Sequence, residues 1–98
     1  MAGFKLTNAA VTDLQEIWIY TCRNWSVEQA DRYYNLIMDE IEFLSLNPLS
    51  GRSVDFIKEG YYASKVKSHL VFYRAISNGE IEVIRILHQN MDVIQRIK

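Results

Sequence analysis

Apolar residues along this chain follow two kinds of spacing. Between Ala10 and Leu44 they recur every three or four positions; from Tyr61 to Leu87 they crowd into short runs rich in β-branched and aromatic residues. The first spacing predicts helices and the second strands. Phe4 and Leu6 alternate with polar neighbours and predict a short opening strand. Thr7 or Asn8 then caps a helix, because either side-chain oxygen can accept from the free amides of a first turn. Ala10, Leu14, Ile17, Trp18 and Thr21 form its apolar stripe. Asp13 and Glu16 lie near its start, where the helix dipole favours negative charge, and read as surface and capping residues. The helix is expected to end near Asn24. Ser26 to Gln29 reads as a capping box opening a second helix, with Val27, Ala30, Tyr34, Ile37, Ile41 and Leu44 on one stripe. Pro48 stops it and "NPLSGR" is a loop. So few residues separate the helices that they should form an antiparallel hairpin.

After Gly60, "YYASKVK", "HLVFYRAI" and "EIEVIRIL" predict three strands. Asn78-Gly79 suits a two-residue type I′ turn, in which both residues take positive φ. That turn sets a register in which Ile76 faces Ile81, Arg74 faces Val83, Phe72 faces Arg85 and His69 faces His88. Side chains alternate with period two, so Leu70, Phe72, Arg74, Ile81, Val83, Arg85 and Leu87 would share one face. His69, Val71, Tyr73, Glu82, Ile84, Ile86 and His88 would share the other. Both faces are largely apolar, so the sheet should be covered twice. The helical hairpin covers one side, and the C-terminal segment, a partner or a target covers the other. The expected fold class is α+β: one domain over residues 1–98, with a small antiparallel sheet packed against a helical hairpin, in the order β-α-α-β-β-β with a short C-terminal helix.

Bulk composition narrows the function without naming it. At 98 residues and 49% hydrophobic content the chain can bury a core without metals or disulfides. A net charge of -1 gives no overall basic field, which argues against general nucleic-acid binding. Cys22 is the only cysteine, which excludes an internal disulfide and fits a reducing compartment. The N-terminal residues lack the apolar run of a signal peptide, and no stretch is long enough to span a bilayer. The expectation is a soluble cytoplasmic domain with no membrane partner. There is no P-loop, no dinucleotide fingerprint, no nucleophile constellation and no metal-ligand spacing, so neither a cofactor nor a metal is expected.

Three stretches resemble one known family. "LTNAAVTDLQEIWIYT" resembles the opening helix of ParE-type toxins, with Ala10, Asp13, Leu14, Ile17 and Tyr20 in matching places. "NPLSGR" resembles the loop after their second helix. "FYRAISNGEIEVIRILHQNMD" resembles their closing hairpin, above all in Phe72-Tyr73-Arg74 and in Arg85-Ile86-Leu87-His88 followed by Asp92. The likeness runs over nearly the whole chain and places it in the RelE/ParE superfamily of type II toxin–antitoxin systems. It implies a toxin that poisons DNA gyrase and blocks replication by binding, without catalysis, and that a ParD-like antitoxin neutralises by wrapping it. It implies no direct sequence-specific contact with nucleic acid. Candidate target-binding residues are Arg74, Arg85, His88 and Asp92. Candidate antitoxin-binding residues are Ile17, Trp18, Tyr33 and Ile37, on the groove side of the hairpin.

The alternative within the superfamily is a RelE-like, ribosome-dependent mRNA interferase. RNA cleavage needs a base or acid beside the phosphate and cations around it. The positions resembling the arginines and tyrosine of RelE relatives fall here on His69 or Leu70, Gln89 and Gln95, none of which supplies the expected group. Lys65 and Lys67 resemble their basic second strand, and His69 or His88 is a candidate base. A third class is an inactive relative that only binds. Each singled-out residue also has a structural reading. Lys65 and Lys67 guard a strand edge. Trp18, Trp25, Tyr33 and Tyr34 pack the helix pair, and His88 is a hydrogen-bonded strand end. Arg74 and Arg85 pair with a carboxylate, for which Asp92 is the expected partner because Glu82 falls on the opposite face. In the expected register the two arginines are diagonal neighbours, and Arg85 is the one expected to be free for function.

Overall fold

Thr7 starts the first helix in the computed structural model, which describes residues 3–97: its hydroxyl accepts from the Ala10 amide at 3.0 Å. Helix α1 (Asn8–Asn24) follows the short strand β1 (Phe4–Leu6). Ser26 caps α2 (Val27–Leu46) in the same way, accepting from the Gln29 amide at 3.0 Å. A short strand β2 (Arg52–Ser53), which the sequence did not predict, begins on the last residue of the expected NPLSGR loop. Strands β3 (Tyr61–Val66), β4 (His69–Ala75) and β5 (Ile81–His88) form a meander, and α3 (Val93–Ile97) closes the chain. The sheet order is β1-β5-β4-β3-β2, with β1 parallel to β5 and the other pairs antiparallel. The fold class is the expected α+β, with the parallel β1 and the extra β2 as additions.

The helical hairpin covers one face of the sheet. Ala10, Leu14, Ile37, Ile41 and Leu44 pack there on Val66, Val71, Tyr73, Ile81, Val83 and Ile86. Val27 and Tyr34, expected on the stripe of α2, are 51% and 41% exposed, and Tyr33 turns inward instead. The chain itself covers part of the second face: Val54 and Ile57 after β2, with Val93 and Ile97 around α3, pack on Phe72, Leu87, Leu70 and Ile84.

The β4–β5 register departs from expectation in its turn-proximal half. Asn78 and Gly79 do take positive φ, at 67° and 74°. The loop is one residue longer than a two-residue turn, however: the Ile76 amide donates to the Glu80 carbonyl at 2.9 Å, and Ala75 pairs with Ile81. Arg74 therefore faces Glu82, not Val83. A bulge beyond Tyr73↔Val83 restores the expected register, so Phe72 faces Arg85 and His69 faces His88 as predicted. The pattern of apolar residues explains the bulge. Ile81, Val83 and Ile86 all face the helices. An odd spacing from Val83 to Ile86 fits one face only if an extra residue interrupts the alternation.

Tyr73 pins the loop after α2. Its hydroxyl donates to the Pro48 carbonyl at 2.8 Å and accepts from the Gly51 amide at 3.0 Å, with the residue wholly buried. Burial pushes the phenol above its ordinary range, which keeps it a donor at neutral pH. A side chain at Gly51 would collide with that hydroxyl, so this glycine permits the close approach. Tyr73→Phe leaves an amide and a carbonyl without their partner and is expected to cost about 2 kcal/mol in urea unfolding, from the usual penalty for orphaned buried groups. A loss under about 0.5 kcal/mol would mean water replaces the hydroxyl there.

Candidate functional site: a groove between the helical hairpin and the strand ends

Strand β1 reaches only as far as Leu6, which pairs with Val83. Among the described residues no strand lies beside the outer edge of β5 beyond Val83, and α1 closes it with side chains. The Thr7 hydroxyl donates to the Ile84 carbonyl at 2.7 Å, and the Ile86 amide donates to Asp13 Oδ2 at 2.9 Å. Asp13 also receives Arg85 Nε at 2.8 Å and a second guanidinium nitrogen, Nη2, at 2.9 Å. Far from the surface role expected of it, Asp13 is 7% exposed. The charged hydrogen bonds that Arg85 donates to this carboxylate hold it protonated beyond its ordinary range.

This pairing corrects the partners assigned to the arginines. Arg85 takes Asp13, and Arg74 takes Glu82 at 2.9 Å on the outer surface. Asp92 takes neither; its carboxylate receives the Gln95 amide at 3.4 Å and starts α3. With Glu82 beside one guanidinium and Asp13 beside the other, no shared anion is needed between them. The Arg74 and Glu82 side chains are 48% and 26% exposed, so their pair contributes little. Arg74→Ala should move the urea midpoint by no more than about 0.5 kcal/mol in stability. Any large loss of toxicity in that variant would then report contact with a target.

Beside the Asp13 clasp lies a groove of about 1150 Å³. Ile17, Tyr20 and Thr21 of α1 form one wall; Arg32, Tyr33 and Leu36 of α2 form another. His69, Ile86, His88 and Met91 supply the sheet end, and Trp25 closes the helix turn. Tyr20 and Trp25 are 61% and 68% exposed, with ring centroids 6.4 Å apart.

Two histidines face each other across β4 and β5 at the mouth of this groove, as the sequence predicted. Their ring centroids are 5.3 Å apart and nearly perpendicular. The Tyr33 hydroxyl lies 2.6 Å from His69 Nδ1 and donates to the Val66 carbonyl at 3.1 Å. His88 Nδ1 accepts from the Asn90 amide at 3.1 Å. Burial first, and then the neighbouring His88, lower the pKa of His69 to about 4 against an opposing pull from Asp13. Among the described residues, no cluster of three His, Cys, Asp or Glu side chains is placed to hold a metal ion.

A family model described as "ParE toxin of type II toxin-antitoxin system, parDE" matches residues 4–93. The chain belongs to the ParE toxin family. It is similar to Toxin ParE1 of Mycobacterium tuberculosis, 41% identical over 90 residues that cover 92% of each chain. Toxin ParE1 of Caulobacter vibrioides is 36% identical over 92 residues, 94% of each chain. A solved structure named "Chromosomal ParDE TA system from P. aeruginosa" shares the fold with a TM-score of 0.75. It is 22% identical, over 90% of this chain and 96% of that one. This is a ParE-type toxin of a type II toxin–antitoxin system.

Within this ParE fold, the candidate residues disperse. Ile17 and Tyr33 line the groove. Trp18 lies outside it and ties the helices together, its indole donating to Asp31 at 2.9 Å. Ile37 is wholly buried in the core, so its place on an exposed groove face is corrected. The same stripe that buries Ile37 left this legible only as an alternative. His88 opens into the groove, while Arg74 and Asp92 stay on the exposed surface. Tyr20, Trp25, Leu36 and Met91 were missed as groove residues. They break the buried stripes while remaining apolar, which is the signal that finds them. No helix among the described residues is long and apolar enough to cross a membrane.

Proposed function

We propose that this toxin acts by binding DNA gyrase, without catalysis of its own, and that a ParD-like antitoxin neutralises it by laying an amphipathic segment in the groove. The observation that carries the binding reading is the pairing of both strand arginines. Arg85 is occupied by Asp13 and Arg74 by Glu82, so neither is a free cation for a scissile phosphate. His69, lowered to about 4, is a weak base at neutral pH. Support for the antitoxin comes from the groove, whose exposed aromatic side chains suit a helix-in-groove contact. The proposed target surface includes Arg74, Asp92 and His88, with Arg85 shaping the strand that presents them. We place the toxin's action in the cytoplasm, where gyrase works.

Gyrase supercoiling and cleavage-complex assays run beside ribosomal mRNA cleavage test the target. Trapped cleavage complexes with intact mRNA are expected. Rapid mRNA cleavage with normal supercoiling would overturn the reading in favour of an mRNA interferase. For the antitoxin, Trp25→Ala is expected to weaken binding at least tenfold, as truncation of an aromatic anchor does. Unchanged affinity would move the docking site elsewhere.

A further inference from the structure

We propose that His69 and His88 form a neutral donor–acceptor pair that reads one side-chain carboxamide, from Asn or Gln, in the antitoxin segment docked in the groove. The inference rests on the docking reading above and adds the chemistry that segment must carry.

Hydrogen accounting fixes both rings. The Asn90 amide can only donate, and it points at His88 Nδ1. That nitrogen is therefore bare, and the proton of the neutral ring sits on Nε2. The Tyr33 hydroxyl has one proton and two close neighbours, the Val66 carbonyl and His69 Nδ1. The carbonyl can only accept. Both contacts are hydrogen bonds only if the hydroxyl proton goes to Val66 and His69 Nδ1–H donates to the hydroxyl oxygen. His69 Nε2 is then bare. No hydrogen bond joins the two imidazoles, whose rings meet edge to face at 5.3 Å. The groove thus holds one open donor, on His88, and one open acceptor, on His69, on opposed strands.

That pattern selects among ligand groups. A carboxylate would set its lone pairs against the bare His69 nitrogen. An ammonium would meet the His88 N–H. A carboxamide offers a carbonyl to His88 and an N–H to His69 from separate atoms, with no change of charge. The charged groups of the groove leave this neutral site to the two rings. Asp13 on α1 is occupied by Arg85. Glu16 on α1, Arg32 on α2 and Lys67 at the β3–β4 turn line the same groove and are exposed to solvent. Metal binding fits poorly, because a ligating His88 Nε2 would have to surrender its proton while Nδ1 still accepts from Asn90.

Long-range proton–nitrogen spectra of the full-length toxin, labelled with 15N-histidine at pH 7.5, test the assignment without any variant. The expected tautomers are Nδ1–H for His69 and Nε2–H for His88. The reverse tautomer at either ring overturns the proposal. Titration with the antitoxin encoded beside the toxin tests the ligand. His69→Phe and His88→Phe should each weaken binding roughly tenfold, and the double variant scarcely further, since both rings hold one group. One Asn or Gln of the antitoxin should lose binding on alanine substitution in the wild-type background and not against His88→Phe. If either ring variant unfolds, His69→Gln and His88→Gln replace it and should retain more affinity than a groove blocked by Leu36→Glu. Ring variants with wild-type affinity, beside a Trp25→Ala that binds weakly, refute the carboxamide site and spare the docking reading. Wild-type affinity in all of them refutes both.

Discussion

Replacing Asp13 with alanine should lower the stability of the toxin by about 3 kcal/mol, the low end of what breaking a buried ion pair costs. Three bonds end on this carboxylate: two from Arg85 and one from the Ile86 amide. Deletion strands a guanidinium whose side chain is 22% exposed, so water recovers part of its solvation. It also strands the amide of a residue that is 2% exposed, which water does not reach easily. For a domain of this size, a total stability of about 5–15 kcal/mol makes the loss large, with a fall in Tm of roughly 15 °C. Asp13→Asn should cost less, because its carbonyl oxygen can still accept from Ile86 while the charge is lost. Arg85→Ala should fall between the two, leaving a carboxylate that keeps one bond. A coupling below about 0.5 kcal/mol in the Asp13/Arg85 double-mutant cycle would show that the pair is only a contact. Urea unfolding with an unchanged slope is the measurement.

This reverses what the two arginines were expected to report. The sequence pointed to Arg85 as the freer side chain and Arg74 as the structural one. The clasp makes Arg85 the costly deletion and Arg74 the cheap one. Toxicity lost in Arg85→Ala must therefore be weighed against the folded fraction, whereas Arg74→Ala reports on the surface directly.

Local signals were readable in the sequence because their causes are local. Thr7 and Ser26 cap helices through bonds to amides three residues on. Asn78-Gly79 marks its positive-φ turn. What misled was set at a distance. The one-residue shift at the turn is undone by the bulge, and that bulge follows from helices lying over Ile81, Val83 and Ile86 together. The burial of Asp13 depends on β1 stopping at Leu6, which leaves an amide of β5 for a side chain to satisfy. Asp13 does sit three residues from Ala10 and four from Ile17, on the apolar stripe of α1, so its position carried the warning. The cross-strand histidines were legible because they lie beyond the bulge, where the expected register holds. The groove was only partly legible, since Tyr20, Trp25 and Met91 line it from positions outside the stripes.

Acidification from neutral pH should destabilise this fold through His69, over the window between the ordinary histidine pKa of 6.5 and the folded value of about 4. In that window the unfolded chain binds a proton that the folded toxin refuses, so stability falls as pH falls. Below about pH 4 both states are protonated at this site and the slope ends. At 1.36 kcal/mol per pH unit the shift sets a ceiling of about 3 kcal/mol; the ring is only half-buried, so solvent screening reduces the expected effect to about 1–2 kcal/mol, present above pH 6.5 and lost by pH 4. The causes are structural: the ring is packed between Tyr33 and His88, and a charge there would be poorly solvated and close to a second imidazole. Asp13 pulls the other way, but its carboxylate is already committed to Arg85. Glu16, Arg32 and Lys67 face the same groove and are exposed to solvent, so their influence should fade with added salt. His69→Gln keeps a polar group toward the Tyr33 hydroxyl and removes the titration. Urea unfolding at pH 7, 6, 5 and 4 should show the wild type losing stability faster than this variant, with the curves parallel above pH 7. The carboxylates titrate in both proteins and cancel in the difference. Curves that stay parallel down to pH 4 would place the proton on His69 as easily in the folded toxin as in the unfolded chain, and the packing of Tyr33 and His88 around it would then have no hold on its charge.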